Sequence, residues 1–401
     1  MKTSKVQIKF AMGVSGKFIV VSGVLMIVWL FVLTATGCMP SRVKERGEFF
    51  DPHRLPSTKE ERNKIFKFFY CTDRTVTDAG DPQLSYGTEL ADEIRLGTFE
   101  LLLAPERDLR GNNPDKWAGI EARNIHESGV DTFFNQLGHA VESSPQRSLV
   151  ILVFGYRNSF RDTLLKTGKL AVSVDINTPY LVFDWPADQR LANRGHEKAF
   201  SYAKKSGYLL GELITAIIEK IKPQKLWLGG GSMGAQTICN AFRQMMTHHD
   251  LADPEKEIDH VFLAAPDVGV NEFDSRFKDA ISALAKAVTV YVSSNDRALL
   301  LSQWIHGEKR LGQARTKKQE QLEEMIDLLD LEATGAKEIT VIDVSPINRA
   351  TLGHTFYIES SEFYDDLYQR LRNPRTVNAR RLYPTHYRDN AVYWIMQDDE
   401  E

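Results

Sequence analysis

Residues 226–242 read LWLGGGSMGAQTICNAF, and no other stretch of the chain limits the fold as much. An apolar run of buried-strand length stops at three glycines. A serine follows, and Met-Gly-Ala then opens a segment with helical apolar spacing. Within it, Gly230, Gly231, Ser232, Met233 and Gly234 fit G-x-S-x-G, the pattern of a strand–nucleophile–helix elbow. A strand turns sharply into a helix only where the residues around the turn lack clashing side chains. Such a turn lifts the Ser232 hydroxyl clear of the sheet and aims the free N–H groups of a helix N-terminus at a reacting carbonyl.

Three other readings compete for the same letters. Gly229, Gly231 and Gly234 satisfy G-x-G-x-x-G, a dinucleotide fingerprint. That fingerprint needs an acidic residue about 20 positions on, at the end of the next strand. Asp250 has the spacing but sits in a polar loop before that strand. A phosphate loop fails because no G-K-[ST] follows. The last reading is a glycine-rich turn chosen for packing alone. The rest of the chain has to decide among them.

The first 37 residues read as a targeting segment. Lys2, Lys5, Lys9 and Lys17 precede a nearly uniform apolar run, residues 18–34, that carries no charge. Ala35-Thr36-Gly37-Cys38 closes it. The pattern resembles the lipobox of bacterial lipoproteins, which would leave Cys38 as a lipidated N-terminus. An uncleaved transmembrane helix is the rival, because the run is near the ~20 residues that span a bilayer. Either reading anchors the chain in a membrane and places the folded part outside the cytoplasm, in the cell envelope. Residues 38–64 are polar and charged and read as a tether.

A length of 401 residues suits one large α/β domain with extensions. The net charge of −4 gives no sign of nucleic-acid binding. Cys38, Cys71 and Cys239 form neither a metal-ligand spacing nor a disulfide framework; the sequence implies no metal or organic cofactor. Residues 65–147 read as strands and loops, with strands at 65–70 and 99–103 and a helix at 129–143. From residue 148 short β-rich runs (148–154, 179–185, 225–230, 260–267, 286–296, 337–345) alternate with helical patterns. That alternation predicts a mostly parallel sheet with helices on both faces, filling 148–365. An amphipathic insertion, 316–335, is expected to be a surface helix, with a lid as the alternative. Residues 366–401 read as a C-terminal extension ending in an acidic tail.

Catalytic groups in open α/β sheets gather at the carboxyl ends of strands. Ser232, Asp296 and His354 each follow a predicted strand, in the chain order Ser–Asp–His expected of an α/β-hydrolase triad. A serine hydroxyl needs a base within hydrogen-bond reach, and that imidazole needs a carboxylate to hold its tautomer. Asp267, in LAAPDVG, is the reserve acid; among the ten histidines, His306 and His386 are also open as the base. The oxyanion hole is expected from the backbone N–H of Met233 and one from the loop 154–160, at Tyr156.

The ordered set VFGYRNSFRDTL, LVFDWPA, LGGGSMGAQ, FLAAPDVGVNEF, VYVSSNDRALLLS and GHTFY, with FFYCTDR before it, resembles a bacterial α/β-hydrolase-like family of unknown function, the domain of unknown function 900 group. The resemblance spans about residues 65–360. It implies the α/β-hydrolase fold, with Ser232, Asp296 and His354 at the family's site positions. Two positions depart from the family's pattern: Phe154 stands where it has His before Gly155, and Gly231 where it has His before Ser232. The expected consequences are a more apolar oxyanion side and a looser elbow. The function that follows is a membrane-tethered serine hydrolase, esterase- or lipase-like, acting on a small acyl substrate. The alternative is a hydrolase-like binding or scaffold lipoprotein without turnover, with a dinucleotide-binding protein as the lesser one.

Overall fold

Apolar runs on both sides of the chain's midpoint become the strands of one sheet. The computed structural model describes residues 64–77, 80–189, 193–247, 257–313, 339–372, 382–387 and 391–397. The targeting segment, Cys38, Asp250, the insertion 316–335 and the acidic tail lie outside the described residues.

Eleven strands form the sheet: β1 (Lys64–Val76), β2 (Tyr86–Asp108), β3 (Ala118–Ser128), β4 (Ser148–Val153), β5 (Tyr180–Asp184), β6 (Lys225–Gly231), β7 (His260–Ala264), β8 (Val288–Val292), β9 (Ile339–Asp343), β10 (Leu382–Tyr387) and β11 (Ala391–Met396). Their spatial order is β10-β11-β9-β8-β7-β6-β4-β5-β1-β2-β3. From β1 to β11 across the middle every pairing is parallel. β2 and β3 extend one edge antiparallel, and β10 closes the other. The residues read as a C-terminal extension therefore contribute two strands, and β11 pairs with β9.

Nine helices are described: α1 (Val130–Ser143), α2 (Phe160–Val174), α3 (Asn193–Lys220), α4 (Met233–Met245), α5 (Val270–Arg276), α6 (Lys278–Leu284), α7 (Arg297–His306), α8 (Phe356–Glu359) and α9 (Ser361–Arg372). Alternate residues of a strand face opposite sides, and β4 shows the result. Leu149, Ile151 and Val153 join α1, α3, α4, α5 and α6 in one core layer. Val150 and Leu152 join α2, α8 and α9 in the other. Burial on both faces explains why β4 reads as an unbroken apolar run.

The order of the strands also locates a crevice. After β4 the chain moves to β5 on one side, then crosses back to place β6 on the other side of β4. This reversal is a topological switch point, where the carboxyl ends of two neighbouring strands open a cleft. Ser232 follows β6, and the loop 154–159 follows β4.

Candidate active site

Ser232 carries the backbone signature of an elbow. Its φ of 54° and ψ of −127° lie where L residues are rarely found. The strain is held by three hydrogen bonds: Ser232 N–H to the Ala264 carbonyl at 2.9 Å, and the Ser232 carbonyl accepting from Ala235 N and Asp267 N, both at 3.1 Å. Close approach explains the neighbouring glycines. A Cβ at Gly234 would lie 2.3 Å from the Val153 carbonyl oxygen, and one at Gly230 would lie 2.7 Å from Ile238 Cδ1.

Asp296 and His354 meet Ser232 across the sheet edge. His354 Nε2 lies 2.7 Å from Ser232 Oγ, and His354 Nδ1 lies 2.7 Å from Asp296 Oδ2. Asp296 is fully buried, and its other oxygen accepts from Leu299 N at 2.9 Å as the N-cap of α7. One residue makes the meeting possible. Gly353 has φ +66°, and a Cβ there would fall 2.2 Å from the Asn295 carbonyl oxygen. Asn348 ties the two loops together, donating to the Gly353 carbonyl at 2.6 Å and to Ser293 Oγ at 2.8 Å. Burial by itself lowers the His354 pKa, but the Asp296 carboxylate, with its hydrogen bond, and the Asp267 charge outweigh it. The imidazole is held above its ordinary value, which suits a group that must take up a proton.

The loop after β4 passes directly over Ser232. A Cβ at Gly155 would stand 2.5 Å from Ser232 Cβ and 3.0 Å from Oγ. Tyr156 follows, its hydroxyl on the Gln189 carbonyl and its ring edge-on to His196. Met233 opens α4, so its N–H has no carbonyl one turn back in the helix to bond. Of the two oxyanion candidates, Met233 follows Ser232 directly in the chain and Tyr156 follows Gly155, which closes on Ser232.

Other expectations fall differently. Asp267 is not beside the imidazole nitrogens: it accepts from Ser302 Oγ at 2.6 Å and pairs with Arg310 Nε at 2.9 Å. His306 packs against Phe200 and His196, and the side chain of His386 is outside those described. The elbow is not loosened at Gly231, because a Cβ there would meet the Tyr357 ring at 2.5 Å. The room a side chain would take is filled by that buried tyrosine, which follows His354 on α8. The Phe154 side chain is buried in the core layer of α2, α8 and α9, where it lines a cavity with Gly231 and Tyr357.

Sequence reasoning missed the residues that hold the loop after β4. Arg74, fully buried at the end of β1, places Nε 2.6 Å from Asp184 Oδ2. It also pairs with Asp188 and donates to the Gly87 and Asn158 carbonyls. Asn158 in turn donates to the Gly155 carbonyl at 2.6 Å. Asp184 sits inside LVFDWPA and Arg74 ends FFYCTDR, so the signal was a buried charge of each sign at two strand ends. Among the described residues no group of His, Cys, Asp or Glu is arranged to hold a metal ion.

A parallel sheet with a serine elbow at its switch point defines the α/β-hydrolase fold. Residues 131–374 match the family described as alpha/beta hydrolase of unknown function (DUF900), and the chain belongs to that family. No curated protein matches it. Among solved structures it resembles an uncharacterized protein from Bacillus cereus, at 14% identity and TM-score 0.29, over 49% of this chain and 53% of that one. The chain thus spans about half the length of that protein. It also resembles LpqC, a poly(3-hydroxybutyrate) depolymerase from Bordetella parapertussis, at 12% identity and TM-score 0.36, over 71% and 88%. A third likeness is the phospholipase PlaB from Legionella pneumophila, at 12% identity and TM-score 0.23, over 50% and 39%.

Proposed function

We propose that the protein is a membrane-tethered serine hydrolase that cleaves an ester or related acyl bond through an acyl-serine intermediate. The observation that carries this reading is the unbroken relay from Asp296 through His354 to Ser232, with both links at 2.7 Å. His354 Nε2 takes the hydroxyl proton as Ser232 Oγ bonds to the acyl carbon. The carbonyl oxygen becomes an oxyanion that accepts from the N–H groups of Met233 and Tyr156. Each such donor is worth about 3 kcal/mol in the transition state. Collapse breaks the bond to the leaving group, which takes the proton from His354. Water then attacks the acyl-serine by the same route and frees the acid. Asp296 keeps Nδ1 protonated and stabilises the imidazolium throughout. The N-terminal sequence, basic then apolar then Ala-Thr-Gly-Cys, supports attachment to a membrane with the catalytic domain in the cell envelope.

The test is labelling of the purified protein by a fluorophosphonate probe. Wild type is expected to label at Ser232, and Ser232→Ala to lose both labelling and ester turnover. In a comparable triad, loss of the serine costs about 10⁶ in kcat. Equal labelling of the two proteins, or none in wild type, sinks the proposal and favours a binding protein without turnover.

A further inference from the structure

Eight large apolar side chains are exposed among the described residues, and three of them lie on α7, which Asp296 caps, or on the loop that leads to His354. Trp304, 63% exposed, is the most open of the eight; Leu301 and Leu352 are each 39% exposed. Leu301 and Trp304 lie three apart on α7, and Arg297 lies four before Leu301, so the three share one solvent face. Leu352 joins them from the neighbouring loop, because its carbonyl accepts from Arg297 N at 2.9 Å. α7 buries Leu299 and Ser302 on its inner side, while Leu301 and Trp304 stand exposed on its outer side.

Among the described residues of 295–309 and 349–352, every exposed charged side chain is cationic: Arg297, Lys309 and Arg349. Asp296, the N-cap of α7, is fully buried, and Glu308 is half-buried and accepts from the backbone N–H groups of Asn271 and Glu272. Tryptophan with leucines, ringed by arginine and lysine, is the composition that seats at the headgroup level of an anionic bilayer.

We propose that this rim, formed by Leu301, Trp304 and Leu352 with their flanking cations, is the face that docks on an anionic lipid surface. The docking presents the Ser232 cleft to esters held in that surface. This second step rests on the hydrolase reading, whereas the docking itself does not.

Full-length protein is added to phosphatidylglycerol-containing vesicles whose acyl chains carry bromine, and tryptophan emission is compared between wild type and Trp304→Phe. Wild type is expected to lose a larger share of its emission, the difference being the part contributed by Trp304. Equal quenching of the two overturns the proposal, whether residues 314–338 of the same chain, a second copy or nothing covers the face. Leu301→Glu/Trp304→Glu is then assayed on a vesicle-borne long-chain ester and on a soluble short-chain ester. The expected result is a roughly tenfold loss on the first, as for a buried apolar anchor removed, and an unchanged rate on the second. The unchanged rate also reports that the variant folds. Equal rates for variant and wild type on both esters overturn the presentation of lipid-borne substrate. Trp304 quenching without hydrolysis of either ester, in a wild type that no fluorophosphonate labels, removes the hydrolase reading and leaves the docking face standing.

Discussion

On one side of Ser232, the loops after β8 and β9 are joined by neutral hydrogen bonds from Asn348 and by a glycine that lets two backbones touch. On the other side, the loop after β4 is held by the guanidinium of Arg74, buried between Asp184, Asp188 and two carbonyls. In the first arrangement Asp296 faces the imidazole and caps α7, while Asp343 is tied through Ser345 to Ser294 and does not touch His354. The second uses charge only to hold backbone. The two sides should therefore break differently. Damage to the acid–base side costs rate, whereas damage to the oxyanion side costs the fold as well.

The largest effect is expected at Asp296. Asp296→Asn keeps the N-cap to α7 within reach, since an asparagine oxygen still accepts from Leu299 N. It removes the charge that orients and stabilises His354. A loss of about 10⁴ in kcat is expected, as for other triads, with little change in melting temperature. The pH profile should move as well. His354 is held above its ordinary value because Asp296 and Asp267 outweigh burial. In wild type, kcat/KM should therefore rise with pH through a limb above that value. Without Asp296 the limb should move to lower pH. A limb that stays in place in the variant would mean that another carboxylate sets the imidazole.

Arg74→Met comes next, with the opposite signature. Removing one partner of a buried ion pair leaves its charge uncompensated and typically costs about 3–5 kcal/mol. Denaturant unfolding of the variant should show a loss of that order, and Arg74→Met/Asp184→Leu should recover much of it by removing the stranded charge. A loss below about 1 kcal/mol would place the hold on this loop elsewhere, for instance in the Ser159–Asp162 capping box that starts α2.

The same contrast explains what could be read from residues alone. The acid–base side was legible because its chemistry needs particular residue types at strand ends, and Ser232, Asp296 and His354 are such types in a recognisable order. The parallel strands were legible because burial on both faces leaves runs such as SLVILV. Arg74 and Asp184 were not, because a buried ion pair is made by register between β1 and β5, where Thr72 pairs with Asp184, and register between distant strands leaves no local pattern. Tyr357 was hidden for a related reason: its contact with Gly231 joins positions far apart in the chain. The strand β11 was missed because Ala391–Met396 is a short apolar run that follows a charged segment and has no flanking helical pattern to place it in the sheet.

Asp73, next to Arg74 on β1, offers the smallest effect and the sharpest version of the contrast. Neighbours on a strand face opposite sides, so Arg74 meets its partners while Asp73 is buried in the other layer. Neither carboxylate oxygen of Asp73 has a hydrogen-bond partner of normal geometry. Burial, reinforced by the Asp184 charge and only partly offset by the Ser206 hydroxyl and Arg74, raises its pKa to about 7 from an ordinary 3.8. The folded protein thus holds this proton more tightly than the unfolded chain does. Its contribution to stability is fully present below pH 3.8, falls as pH rises through the interval, and is gone above about 7. Asp73→Asn supplies a neutral side chain of the same shape at every pH. Its melting temperature should exceed that of wild type by roughly 3 °C or more at pH 8, and the gap should shrink steadily as pH falls toward 4. A gap of constant size across that range would show that shape, not charge, sets the energy of this position.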